Sequence, residues 1–113
     1  LVMAMATRIS EGKTIPYTPG AAVEAGDVIR QVDLIGVAPS DIAANVEGSI
    51  DVSGVFDFPK DTGSSSAIPA GTIVYWNYGD EVATASSSSA VQMGKTIQAA
   101  TDDDATVRVL LIP

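Results

Sequence analysis

Histidine and cysteine are both missing from this chain of 113 residues. Histidine is the commonest general base in enzymes and cysteine supplies the thiol nucleophile, so the usual means of activating a nucleophile near neutral pH are absent. Without cysteine, disulfides and thiolate metal sites are excluded as well. We therefore expect no enzyme, and no catalytic, cofactor-binding or metal-binding residues; a surface that binds another molecule is the better hypothesis.

Basic residues are scarce too: six lysines and arginines stand against fourteen acidic residues, and the net charge is −8. A nucleic-acid-binding surface needs clustered cations that neutralise phosphates. The six cations here are scattered along the chain, at Arg8, Lys13, Arg30, Lys60, Lys95 and Arg108. We therefore expect no nucleic-acid partner and no attraction to an anionic membrane, and no apolar run approaches the roughly 18 residues of a membrane span.

A chain of this length is expected to form one domain. Its first six residues are apolar, but they are too few for the apolar part of a signal peptide and no basic residue precedes them. We interpret residues 1–5 as an N-terminal extension or cloning remnant, with Met5 as a candidate start, and residues 6–113 as a single β domain. The alternative is an N-terminal arm that adds to a neighbouring sheet.

Short apolar runs separated by Gly, Pro, Asp and Ser are typical of an all-β protein. They predict strands at residues 14–17, 27–32, 34–38, 46–52, 55–58, 72–77, 81–84, 94–99 and 106–111. The only hint of helix is a single turn at residues 39–44. The predicted fold is a compact small barrel or sandwich of about eight or nine short strands.

Two strand patterns carry further information. Residues 46–52 alternate between apolar and polar, and the alternation then loses its phase, which predicts a β-bulge at Ser53-Gly54. Residues 72–78 and 107–112 are apolar on both faces, as in strands that are covered on both sides. In so small a chain a neighbouring subunit could supply one of those covers, and the low charged fraction of 18% also favours packing against another protein.

Most aromatic residues cluster in two predicted strands, where they either form the core or provide anchors of a protein interface. The strand at 14–17 offers a further contact, because an edge strand can pair with a strand of a partner. The candidate interface residues are Trp76, Tyr75, Tyr78, Phe56, Phe58, Ile15 and Tyr17.

Two motifs suggest a ligand site, a phosphate loop and a cation site, but the spacing of their residues fits neither. Gly-Lys-Thr-Ile occurs at residues 12–15 and 94–97, but a phosphate loop needs a glycine five positions earlier, where Thr7 and Ser89 stand. We interpret each copy as the start of a strand. Three consecutive carboxylates at 102–104 cannot converge on one cation, so they predict a solvated turn.

Several segments, taken in order, resemble the DUF2190-type family of phage capsid cement or decoration proteins, also labelled predicted recombinases. They are residues 17–28, Leu34-Ile35-Gly36-Val37-Ala38, residues 54–60, Ala70-Gly71-Thr72-Ile73-Val74-Tyr75-Trp76-Asn77, Gly94, Ala99-Ala100 and residues 106–111. A recombinase is excluded by the missing phosphate loop and basic face. The resemblance implies a structural protein of a tailed-phage head, with no catalytic residues.

The resemblance also implies partners and a location. The partner would be the major capsid protein, and the location the outer capsid surface of the virion, after synthesis in the bacterial host cytoplasm. A homo-oligomer is expected, with a trimer favoured because capsids present local threefold points. Two alternatives stay open: a virion adhesin or receptor-binding knob that uses serine-rich loops at 64–66 and 86–89, and a small carboxylate-dependent hydrolase.

Overall fold

The computed structural model of the chain describes residues 12–112. Within them lie nine strands and no helix: β1 Thr14–Tyr17, β2 Val28–Gln31, β3 Leu34–Val37, β4 Gly48–Asp51, β5 Gly54–Pro59, β6 Ile73–Asn77, β7 Val82–Thr84, β8 Val91–Thr96 and β9 Thr106–Leu111. The predicted all-β fold is confirmed. The interpreted extension at residues 1–5 lies outside the described residues.

The first sheet has four antiparallel strands in the order β1-β4-β3-β2. Alternation along the strands sends Ile29 and Ile50 to one face of this sheet, where Ile15 and Tyr17 are also packed. Two residues of the connections, Val23 and Ile42, pair through a β-bridge and cover that face. The helical turn predicted at residues 39–44 is therefore wrong, because Ile42 is held in an extended bridge.

The second sheet has five antiparallel strands in the order β5-β9-β8-β6-β7. It curls until its two edge strands meet through a parallel bridge between Lys60 and Ala83. The enclosed side is the main core, formed by Phe58, Val74, Trp76, Val91, Met93, Val107, Val109 and Leu111 among others. Ile35 and Val37 of β3 join the same core, so the two sheets pack against each other through β3.

The β-bulge predicted at Ser53-Gly54 is wrong. There β4 ends in the four-stranded sheet and β5 begins in the five-stranded sheet, with Gly54 at a φ of 132° that side chains rarely adopt. The loss of phase in the sequence marks a change of sheet: Val52 belongs to one core and Phe56 packs against the other.

Strand β8 begins three residues earlier than predicted, so the second Gly-Lys-Thr-Ile segment ends a strand instead of starting one. Gly94 pairs with Leu111 on one side and Val74 on the other, next to a register shift between Val74 and Tyr75. A Cβ atom at Gly94 would collide with the carbonyl oxygen of Leu110. Glycine is therefore required at this point of the sheet by space and not by φ.

Candidate functional site

The outward side of the five-stranded sheet carries an unusual number of exposed aliphatic side chains. Antiparallel sheets with one covered face normally present polar residues on the other. Here five aliphatic residues on the outward side are between 37% and 51% exposed. We call this surface the aliphatic face and define it by Val55, Ile73, Ile97, Leu110 and Ile112.

Strand register brings the members of the aliphatic face together. Val55 on β5 lies opposite Leu110 on β9, Leu110 lies opposite Lys95 on β8, and Lys95 lies opposite Ile73 on β6. Since neighbouring strands are about 4.8 Å apart, this row crosses about 14 Å of sheet. Ile97 and Ile112 continue the ladder beyond their strands, because their N–H groups donate to Arg108 O and Met93 O.

Carboxylates are nearly excluded from this side of the sheet. Among the outward positions of β5 to β9 the single acidic residue is Asp57, and it is engaged by Arg108, whose Nε and a terminal nitrogen donate to the two carboxylate oxygens at 2.9 and 3.2 Å. The hydrogen bond from Arg108 lowers the pKa of Asp57, and the same pair raises the pKa of Arg108. Asp57 and Arg108 cancel each other's charge, and the exposed Lys95 adds one positive charge. The outward side of the five-stranded sheet is therefore weakly cationic, although the chain as a whole has a net charge of −8.

The predicted interface residues occupy several different environments. Phe58 and Trp76 lie in the main core with ring centroids 5.9 Å apart, and Phe56 is half-buried at its margin. Tyr75 is half-buried on the outward side of β6, next to the aliphatic face. The role of these aromatic residues in an interface stays a prediction, and burial leaves Phe58 and Trp76 little surface to offer a partner.

The remaining predicted residues lie at the four-stranded sheet or against it. Ile15 and Tyr17 are half-buried in the apolar cluster on the four-stranded sheet. Tyr78 is exposed, and its ring centroid lies 4.0 Å from the guanidinium carbon of Arg30. Because Lys13 O accepts from Val52 N, strand alternation turns the Pro16 nitrogen away from β4. The pairing of β1 with a partner strand stays a prediction, and Pro16 offers that strand no N–H donor.

Sequence reasoning did not name the residues of the aliphatic face, although their signal was present. Residues 109–112 are apolar at consecutive positions, so one of the two faces of β9 must carry apolar side chains outside the core. The sequence favours the aromatic residues as candidates, because interface anchors are often aromatic. Here the exposed apolar side chains are branched aliphatics, and which of them face outward depends on strand direction and register.

The two serine-rich loops, placed far apart in sequence, border one hollow of about 550 Å³. Its lining includes Ser64, Ser65, Ser66, Thr84 and Ser86. The loop at 63–66 is anchored, because the buried Lys60 donates through Nζ to Asp61 O at 2.6 Å and Ser66 O at 3.0 Å. The adhesin alternative stays a prediction, and this hollow is where its ligand would bind.

Several carboxylates among the described residues hold turns and loops by accepting hydrogen bonds from backbone N–H groups. Asp102 accepts hydrogen bonds from Ser66 N and Ala67 N, and Asp104 accepts one from Thr101 N. Residues 12–112 contain no group of three acidic residues that could hold a metal ion. The same residues contain no helix long and apolar enough to cross a membrane.

Comparison with known proteins gives one match. A sequence model of the phage cement protein family matches residues 9–111, nearly the entire chain. No curated protein and no solved structure matches the chain. The family is structural and not enzymatic and is associated with the phage capsid, in agreement with the resemblance that the sequence suggested. The chain belongs to the phage cement protein family.

Proposed function

We propose that this protein binds the outer surface of a phage head, through the major capsid protein, and stabilises the assembled shell. A ligand that binds only the assembled state adds its binding free energy to the stability of that state. Many copies, each holding neighbouring subunits, would make expansion or rupture of the shell more costly. Family membership supports the structural role, and the aliphatic face supports the binding of a protein surface.

The observation that carries the proposal is the row Val55, Leu110, Lys95 and Ile73 across four strands. Contiguous exposed apolar surface on a soluble protein typically marks an interaction site. Acidic residues are depleted at the centres of protein interfaces, and Asp57 is the single acidic residue among the outward positions of β5 to β9. The aliphatic face therefore has the composition expected of an interface centre.

Charge restricts the kind of protein surface that can bind the aliphatic face. Lys95 is exposed at its centre and forms no ion pair with a described residue. Two copies meeting face to face would bring Lys95 close to Lys95, which is unfavourable. A fitting partner surface is apolar and presents a carboxylate or carbonyl oxygen opposite Lys95. A capsid subunit of that chemistry is the occupant that we propose.

The proposed assembly state is a trimer, seated where capsid subunits meet at local threefold points. Three linked copies would bind with avidity, since the second and third contacts become intramolecular. The subunits of the trimer would contact each other through surfaces other than the centre of the aliphatic face, because in this proposal that centre binds the shell.

The proposal is tested by the thermal stability of heads. Heads of the phage that encodes this chain are stripped of it and melted with and without the purified protein. Added protein is expected to raise the temperature at which the shell dissociates, in proportion to occupancy. An unchanged melting temperature at saturating protein would contradict a cement function.

A receptor-binding knob is the second candidate function, favoured by the shared hollow between the two serine-rich loops. Hydroxyl-bearing loops supply donors and acceptors that suit polar ligands such as glycans. Binding of a glycan by the isolated chain, lost when Ser65 and Ser86 are both changed to Ala and combined with no affinity for heads, would favour this candidate over the cement function.

A further inference from the structure

The turn between β2 and β3 contains a valine in a conformation that valine normally avoids. Gln31 pairs with Leu34, so Val32 and Asp33 form a two-residue hairpin turn. Val32 has a φ of 56°, and of the two turn residues it alone has a positive φ. A positive φ at the first turn position is typical of a type II′ turn, which uses glycine there.

Folding gains little from the side chain of Val32. A positive φ is sterically unfavourable for residues that carry a Cβ atom, and β-branched residues with a positive φ are genuine outliers. Val32 is also 73% exposed, the most exposed large hydrophobic residue of the described chain. Valine is thus an unfavourable residue at this position, because the turn requires a positive φ and the side chain is exposed to solvent.

Strain that folding does not require is a sign of function. We propose that Val32 is a shell anchor: an aliphatic side chain presented at a hairpin tip to enter an apolar pocket of a capsid subunit. The hairpin is braced for this role, because Arg30 on β2 stacks over the ring of Tyr78 at 4.0 Å and ties β2 to the five-stranded sheet. A braced tip loses less conformational entropy on binding.

This inference rests on the proposed function and makes it more specific. A cement joins capsid subunits only when one chain contacts at least two places on the shell. Val32 lies in the β2–β3 turn of the four-stranded sheet, and the aliphatic face lies on the five-stranded sheet. Two apolar contacts on different sheets would therefore let one chain hold two positions of the shell.

The test compares variants of the full chain for binding to stripped heads. Val32→Thr keeps the shape and the β-branched backbone but replaces a methyl group with a hydroxyl. Val32→Gly removes the side chain and suits the positive φ. The matched control is Val46→Thr, which changes another exposed valine outside the turn. Val32→Thr is expected to weaken binding several-fold and Val32→Gly about tenfold or more, whereas Val46→Thr binds like the unmodified chain.

Stability and oligomeric state are measured on the same proteins. Val32→Gly is expected to unfold at the same temperature as the unmodified chain or higher, because glycine relieves the strained φ. Normal shell binding by both Val32 variants would overturn the inference, and so would a marked loss of stability in Val32→Gly. A changed oligomeric state would assign Val32 to contact with a second copy instead of the shell. Failure of the unmodified chain to bind heads would overturn the proposed function together with this inference.

Discussion

Val55 lies directly opposite Leu110 on the outward side of the five-stranded sheet, and both side chains are exposed to solvent. Cross-strand neighbours of this kind stabilise a sheet modestly, by about 0.2–1 kcal/mol per pair. Many residues would serve that purpose without exposing aliphatic surface. Under the proposed function, the pair belongs to a surface that is covered when the protein binds the shell.

Replacing Trp76 with alanine should unfold the protein or destabilise it by about 3–5 kcal/mol, because the side chain is 5% exposed and packs on Phe58. Tyr78→Ala is the control: Tyr78 is 44% exposed, and its removal should cost at most about 1 kcal/mol through the lost Arg30 contact. Urea denaturation measures both. A Trp76→Ala variant that folds normally but no longer binds heads would instead make Trp76 an interface anchor.

Replacing Gly94 with alanine should destabilise the chain by about 3 kcal/mol or more, since the added Cβ meets the backbone oxygen of Leu110, which cannot move without opening the sheet. Gly20→Ala is the matched control, because a Cβ there has no neighbour within 4 Å. Denaturant midpoints of the two variants should differ widely. Equal midpoints would mean that β8 and β9 can separate at Gly94 without cost.

Replacing Lys60 with methionine should cost about 1–3 kcal/mol, because the ammonium group satisfies Asp61 O and Ser66 O from a buried position. The loop at 61–67 should then be cut faster by proteases. Lys95→Met changes an exposed lysine and should leave stability unchanged. If the two variants are equally stable and equally resistant, Lys60 does not hold this loop.

The Asp57–Arg108 pair should make stability depend on pH at the acidic end. Arg108 lowers the pKa of Asp57 below its ordinary value of 3.8, so the ionised form is favoured in the folded state. The contribution of the pair to the free energy of unfolding is fully present above pH 3.8, and it is lost as the pH falls through the lowered pKa of Asp57. We expect the unmodified chain to be slightly more stable than Asp57→Asn at neutral pH, and the difference to vanish in strong acid. Thermal unfolding across pH measures this; a difference that persists in strong acid would contradict it.

The sequence predicts the strands well because alternation and turn residues are local signals. All nine strands occur near their predicted positions, and β1 and β9 have the predicted bounds. Sheet membership is not local: the lost phase at Ser53-Gly54 fits a bulge equally well, and the change of sheet is visible only when β5 pairs with β9. For the same reason the hydroxyl-lined hollow could not be derived from two distant serine runs.

The residues of the aliphatic face could not be predicted from the sequence. Apolar residues on both faces of 107–112 indicated a second cover, but the outward set is fixed by register across β5, β9, β8 and β6. The sequence predicts Val32 as the last residue of a strand, whereas the structure places it in the turn that follows β2. The proposed role of Val32 depends on its positive φ angle, which the amino-acid sequence does not show.

Co-sedimentation with stripped heads tests most directly whether the aliphatic face binds the shell. The unmodified chain is compared with a Val55→Thr/Leu110→Thr variant, after unfolding curves have shown that both are folded. The unmodified chain should pellet with heads and saturate at a fixed ratio to capsid subunits, and the variant should bind at least about tenfold more weakly. Equal binding by the two would contradict the assignment of this face, and no binding by the folded, unmodified chain would contradict the cement function itself.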